Sequence, residues 1–276
     1  MKKVMFLAGL SLCFSACTVN VNSPGNTVPS PSASPTATSP GATSPTPSTS
    51  PDPSGSASPA PTPSASPPPE IPTAGLIEYL DFSAAPPTDE SIARGVTQTT
   101  DRLGQENQAW HFDGSESFLR VNRDLNAEVL PQVTLSAWVR STNANPEETG
   151  HIISHDNANT SRILALYVEN NTPLGFAAAA GPTVDITRLA PVQLNTWQFL
   201  TASYDPAAGV VNFYMNGQLV ESNTQLASRG GYEYFYVGAS PFAGRYFEGD
   251  IDEVRVYNRV LSEAEVQDLY AASLNG

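Results

Sequence analysis

From Val133 to Arg140 the chain alternates, with Val133, Leu135, Ala137 and Val139 set against Thr134, Ser136, Trp138 and Arg140. A period of two puts one set on each face of a strand. "TWQFLTASYD" (196–205), "GVVNFYMNGQLV" (209–220), "YEYFYVG" (232–238) and "IDEVRVY" (251–257) repeat the pattern. Asn216-Gly217 lies between two such runs, and both residues tolerate positive φ, so a two-residue hairpin is expected there. Asp113-Gly114, between "AWHF" and "SFLRV", is a second turn candidate. About a dozen short strands with frequent turns predict an all-β, antiparallel two-sheet sandwich. One helix is signalled. Ser262 and Glu265 have capping-box spacing, and Val266, Leu269 and Tyr270 supply one apolar face.

The chain upstream follows a different rule. Residues 1–16, MKKVMFLAGLSLCFSA, run from two lysines through an apolar stretch too short to span a bilayer to small residues, as a secretory signal peptide does. "FSAC" resembles a bacterial lipobox, with Phe14 where Leu is usual, and this implies lipidation of Cys17. Thr18 stands where that family carries Asp as an inner-membrane retention signal. The expected location is therefore the cell envelope, outside the cytoplasm, on the outer membrane if the cell has one. Residues 17–73 are rich in Pro, Ser, Thr and Ala with almost no bulky apolar side chains, so they read as a disordered tether. Residues 74–276 form the expected globular domain.

Charge and cysteine content narrow the function classes. Thirteen basic residues less Lys2 and Lys3 leave eleven against 27 acidic, a balance of −16 in residues 17–276. That excludes charge-driven binding of nucleic acid or anionic lipid, so contact with membrane is expected through the lipid anchor alone. Cys13 and Cys17 are the only cysteines, so residues 74–276 contain no disulfide.

Several segments in order resemble the laminin-G-like jelly rolls of the concanavalin A-like lectin/glucanase superfamily. "GLIEYLDF" resembles the first strand and "NQAWHFDGSESFLRV" the F-D-G hairpin. "VTLSAWVR", "NTWQFLTASYD" and "VNFYMNGQLV" resemble the middle strands. "FEGDIDEVRVYNRVLSEAEVQDLY" resembles the closing strand and helix. The resemblance runs from Gly75 to about Ala272 and implies a jelly roll with a short C-terminal helix.

The closing strand carries the candidate chemistry. "EGDIDE" also resembles the catalytic E-x-D-x-x-E strand of family-16 glycoside hydrolases, which would make Glu248 and Glu253 a nucleophile and acid/base pair. A regular strand holds them about 16 Å apart, so a bulge would have to bring them together. Asp252 shares the parity of Val254 and Val256 and is expected to point inward. There it is either hydrogen-bonded or a ligand of a structural Ca²⁺, which the resemblance implies, with Asp89 or Asp81 as N-terminal partners. His151 and His155 lie about 13 Å apart on a strand and read as strand-end polar residues, not a zinc pair. Phe242, Arg245 and Tyr246, in an expected loop, are candidates to stack on a sugar ring and hydrogen-bond its hydroxyls. The expected function is a surface-tethered, non-enzymatic module binding extracellular carbohydrate or a surface protein. The alternatives are a glycoside hydrolase using Glu248 and Glu253, and a structural envelope lipoprotein.

Overall fold

Eighteen strands form among the residues described by the computed structural model, which are 68–143, 150–155, 162–167, 175–180, 185–186, 190–223 and 233–275. In chain order they are β1 (Leu76–Leu80), β2 (Ala93–Arg94), β3 (Thr97–Thr99), β4 (Ala109–Asp113), β5 (Phe118–Val121) and β6 (Val133–Ser141). Then come β7 (Gly150–His155), β8 (Arg162–Tyr167), β9 (Gly175–Ala180), β10 (Asp185–Ile186), β11 (Ala190–Pro191) and β12 (Gln198–Asp205). The last are β13 (Val210–Met215), β14 (Gln218–Asn223), β15 (Phe235–Val237), β16 (Ala239–Ser240), β17 (Arg245–Tyr246) and β18 (Glu248–Tyr257). One helix follows, α1 (Glu263–Ser273). The segment 238–250, expected as a loop, therefore holds two short strands and a 3-10 turn, Pro241–Ala243. The leader, Cys17 and the tether up to residue 67 lie outside the described residues. All described residues belong to the unit Pro63–Gly276.

The strands form two sheets. The first has the order β14-β13-β12-β6-β18-β4-β3, with β1 also paired to β18. The second runs β10-β9-β8-β7-β15-β5-β2, with β11 on β9 and β17 on β7. Their facing apolar rows make the main core. Val133, Leu135, Ala137 and Val139 of β6 meet Phe176 and Ala178 of β9, Ile153 of β7, and Phe235 and Val237 of β15 in one buried cluster. The period-two reading of β6 is thus realised.

The first sheet is covered on its other face as well. Trp138 joins Phe199, Tyr214, Tyr257 and Leu261 with Val266 and Leu269 of α1 in a second cluster. The helix starts as its capping box dictates: Ser262 Oγ accepts from Glu265 N, and Glu265 Oε2 accepts from Ser262 N at 2.9 Å. Ile71, inside the expected tether, is half-buried against the same cluster.

Of the two expected turns, one is a hairpin. Asn216 and Gly217 take φ 50° and 75° between β13 and β14. Asp113-Gly114 instead links β4 of the first sheet to β5 of the second. The physical reason is Asp113, whose carboxylate accepts the N–H groups of Ser115, Glu116 and Ser117. That wider turn closes on itself and carries the chain across the sandwich. Partial burial pushes the Asp113 pKa up, but these hydrogen bonds prevail and hold it well below the ordinary carboxylate range.

Candidate functional site

The closing strand does not continue its alternation past Ile251. Pairing with β6 slips between Asp252 and Arg255, and Glu253 sits in the bulge at φ 49°. The extra residue resets the parity. Ile251, Val254 and Val256 all enter the main core, while Asp252 pairs with Trp138 on the opposite, helix-covered face. The expectation that Asp252 points inward with Val254 is therefore corrected.

A short loop delivers a cation to that bulge. Asp101 accepts the N–H groups of Leu103 and Gln105, and the turn so formed presents Arg102. Arg102 lies 5.0 Å from the Trp138 ring and donates to Asp252 Oδ2 and Glu253 Oε1, each at 3.2 Å. It also donates to the carbonyl of Ser273, at the end of α1. Glu253 Oε2 accepts from Arg255 at 3.0 Å. Asp252 Oδ1 accepts from Glu253 N at 2.7 Å. Burial, reinforced by the Glu253 charge, pushes the Asp252 carboxyl up to about 7.

This arrangement does not fit a Ca²⁺ shell. Ca²⁺ requires six to eight oxygen ligands. Asp252 and Asp81 border one pocket of about 230 Å³, but Arg102 stands between the Asp252 and Glu253 carboxylates as the counter-charge. Asp81 is exposed, and its Oδ1 accepts the N–H and hydroxyl of Ser83 at 3.1 and 3.0 Å. Asp89 lies outside the pocket, exposed and hydrogen-bonded to Ser91. Among the described residues no group of three or more His, Cys, Asp or Glu side chains is placed to hold a metal ion.

Glu248 and Glu253 are not brought together. Glu248 pairs with Asp113 at one end of β18 and is within reach of Thr142 Oγ1, at 3.4 Å. Glu253 lies beyond Asp252, roughly 15 Å along the strand by strand rise. Retaining and inverting glycosidases need about 5–5.5 Å and 6.5–9.5 Å respectively. Between them sits Asp250, 3 % exposed, bonded to His111 Nδ1 at 2.8 Å and Arg140 Nε at 2.7 Å, with Arg140 5.1 Å from the Trp197 ring.

The outward face of the second sheet carries a run of aromatic rings. Phe118 and Tyr236 lie 5.5 Å apart edge to face, Tyr236 and Tyr234 5.6 Å, and Tyr236 and Phe242 6.0 Å. Tyr246 packs against the same group. Phe242, on the 3-10 turn, is 46 % exposed. Two of the three expected ligand residues, Phe242 and Tyr246, thus belong to one surface. Arg245 does not join the rings through any contact among the described residues. Burial, with its charge nearby, lowers the pKa of His151 to about 3 and keeps that imidazole neutral. His155 is also buried, its Nε2 3.8 Å from Asp124. Sequence reasoning missed Phe118 and Tyr236, both buried, and the partly buried Tyr234 as the packing beneath Phe242. The signal was the alternation of Tyr234 and Tyr236 against Phe235 and Val237, whose apolar partners fill the core. Arg102 carried no local signal, because its partners are some 150 residues away in sequence.

The Laminin_G_3 family model, described as the concanavalin A-like lectin/glucanases superfamily, matches residues 112–267. No curated protein matches the chain. Among solved structures, domain 4 of AbnA, a GH43 extracellular arabinanase from Geobacillus stearothermophilus solved in complex with arabinotriose, aligns with a TM-score of 0.50. Identity there is 21 %, over 63 % of this chain and 81 % of that one. Trypanosoma rangeli sialidase aligns with a TM-score of 0.54 and 18 % identity, over 74 % of this chain but only 33 % of its own. The binding domain of botulinum neurotoxin serotype D aligns with a TM-score of 0.51 and 15 % identity, over 72 % of this chain and 52 % of that one. At these identities the likeness is one of fold.

Proposed function

This chain belongs to the concanavalin A-like lectin/glucanase superfamily, and from that premise we propose that it is a non-enzymatic carbohydrate-binding module displayed outside the cytoplasm. The observation that carries the reading is Phe242, 46 % exposed on the 3-10 turn and backed by the buried rings of Tyr236 and Phe118. Sugar rings present C–H groups that stack on such rings, and a firm sandwich holds them in place without ordering cost at binding. The arabinanase domain of the same fold, solved with arabinotriose, supports the reading by analogy. The separation of Glu248 from Glu253, and the ion pairs that occupy Glu253, favour binding over hydrolysis.

The proposal includes a lipid on Cys17 and a Pro/Ser/Thr-rich spacer that holds the domain away from the envelope. A glycan array with the full chain, followed by calorimetry on the retained sugars, tests the binding. Phe242→Ala should weaken it about three- to tenfold, the worth of one aromatic contact, with an unchanged melting temperature. No retained glycan, or equal affinity in the variant, removes this reading.

A further inference from the structure

Five of the eight arginines whose side chains are described answer to an acid. Arg102, Arg123, Arg140, Arg255 and Arg259 each pair with a carboxylate. Of the other three, Arg245 sets its charge near His151, while Arg94 and Arg120 stand without an ion-pair partner among the described residues, although acids outnumber bases 27 to 13 in the chain. Both lie on the aromatic face. Arg94 is paired across the sheet with Phe118, and Arg120 with Tyr236. Arg94 lies 5.6 Å from the Phe118 ring and Arg120 5.4 Å from the Tyr234 ring. Across the strands they are diagonal neighbours, with backbones about 7–8 Å apart.

Two like charges on one face repel, and neither arginine has a carboxylate within ion-pair distance among the described residues. Asp89 feels the Arg120 charge, but it is fully exposed and hydrogen-bonded to Ser91. Stacking on a ring satisfies a guanidinium's face and leaves its in-plane N–H donors seeking acceptors. Arg120 Nε is buried with no hydrogen-bond acceptor among the described residues, so the terminal nitrogens are the donors it has to offer a ligand.

We infer that this face takes a glycan bearing carboxylate groups. The sugar ring stacks on Phe242, which the buried Tyr236 ring backs, and the carboxylate lies against Arg94 and Arg120. The planar guanidinium fork matches a planar carboxylate through two parallel N–H···O bonds. The inference rests on the carbohydrate reading above and names its substrate class.

Affinity electrophoresis of the full chain in gels containing polygalacturonate, dextran, dextran sulfate or polyglutamate tests it. Polygalacturonate should retard the chain most, and less so as salt rises. Arg94→Ala and Arg120→Ala should each weaken that binding about tenfold, the loss expected for one charged hydrogen bond. Melting temperatures should stay unchanged, and Arg120→Lys should recover part of the loss. Retardation by dextran that needs Phe242 but neither arginine would overturn the carboxylate assignment and leave the carbohydrate reading standing. A preference for dextran sulfate would also overturn the assignment. Equal retardation by polyglutamate would overturn the sugar half, and no retardation by any polymer would overturn both.

Discussion

Arg102 does at one position what a metal ion would do in an acidic, disulfide-free sandwich. It ties the loop after β3 to the bulge of β18 and to the end of α1. Removing one partner of a buried ion pair strands the other charges, so Arg102→Ala should cost about 3–5 kcal/mol, a fall in melting temperature of roughly 6–20 °C. With Arg102 in place, Ca²⁺ and EDTA should leave the melting temperature of metal-free protein unchanged; a Ca²⁺-induced rise reversed by EDTA would show that the pocket takes the ion after all. Asp252 adds a pH signature. Its folded pKa of about 7 lies above the ordinary 3.8, so the folded state binds more protons between those values. Its contribution is complete below about pH 4 and is lost as pH rises through 7. Asp252→Asn should therefore flatten the decline in melting temperature between pH 5 and 8, and an unaltered profile would place the titrating group elsewhere.

The decisive element is the pair β18–α1. β18 is buried along nearly its whole length because β1, β4 and β6 pair with it and α1 covers the outer face of its sheet. Gly249 is fixed by that crowding. It takes φ 144°, and an added Cβ would lie 2.3 Å from the Arg140 carbonyl oxygen. Gly249→Ala should abolish soluble expression or lower the melting temperature sharply. The helix cap is a milder test. Ser262→Ala should cost about 1 kcal/mol, or roughly 2–4 °C. Hydrogen bonds from Arg259, then those from Ser262, lower Glu265 to about 2 against the opposing effect of burial. A depressed carboxylate stabilises above its ordinary 4.5 and loses that contribution as pH falls toward 2. Arg259→Ala should therefore shrink the loss of stability on acidification over that range, measured by thermal melts.

At the scale of the whole molecule, the anchor and the aromatic face belong to one proposal. A tethered binding module needs its ligand face free of the envelope and its leader processed. Fractionation tests the first part. The native chain should sediment with membranes, and Cys17→Ser should release it to the soluble fraction while leaving glycan binding intact. A Cys17→Ser chain that stays wholly with membranes would remove the lipid anchor from the proposal.

Periodicity and local turn chemistry were enough to read the sandwich, the inward row of β6, the Asn216-Gly217 hairpin and the capped helix. Each depends on residues a few positions apart, and burying apolar area on one face leaves little choice of register. Three features had to wait for the tertiary structure. The Asp113-Gly114 turn crosses between sheets, because a carboxylate can close either a hairpin or an arch and only the distant pairing partners choose. The bulge at Glu253 reversed the face of Asp252, because an extra residue in a strand leaves no mark on the residue pattern around it. Arg102 met Asp252, and Arg94 met Phe118 beside Arg120, because a charge takes its partner from whatever the fold brings near, at a sequence separation that periodicity does not reach.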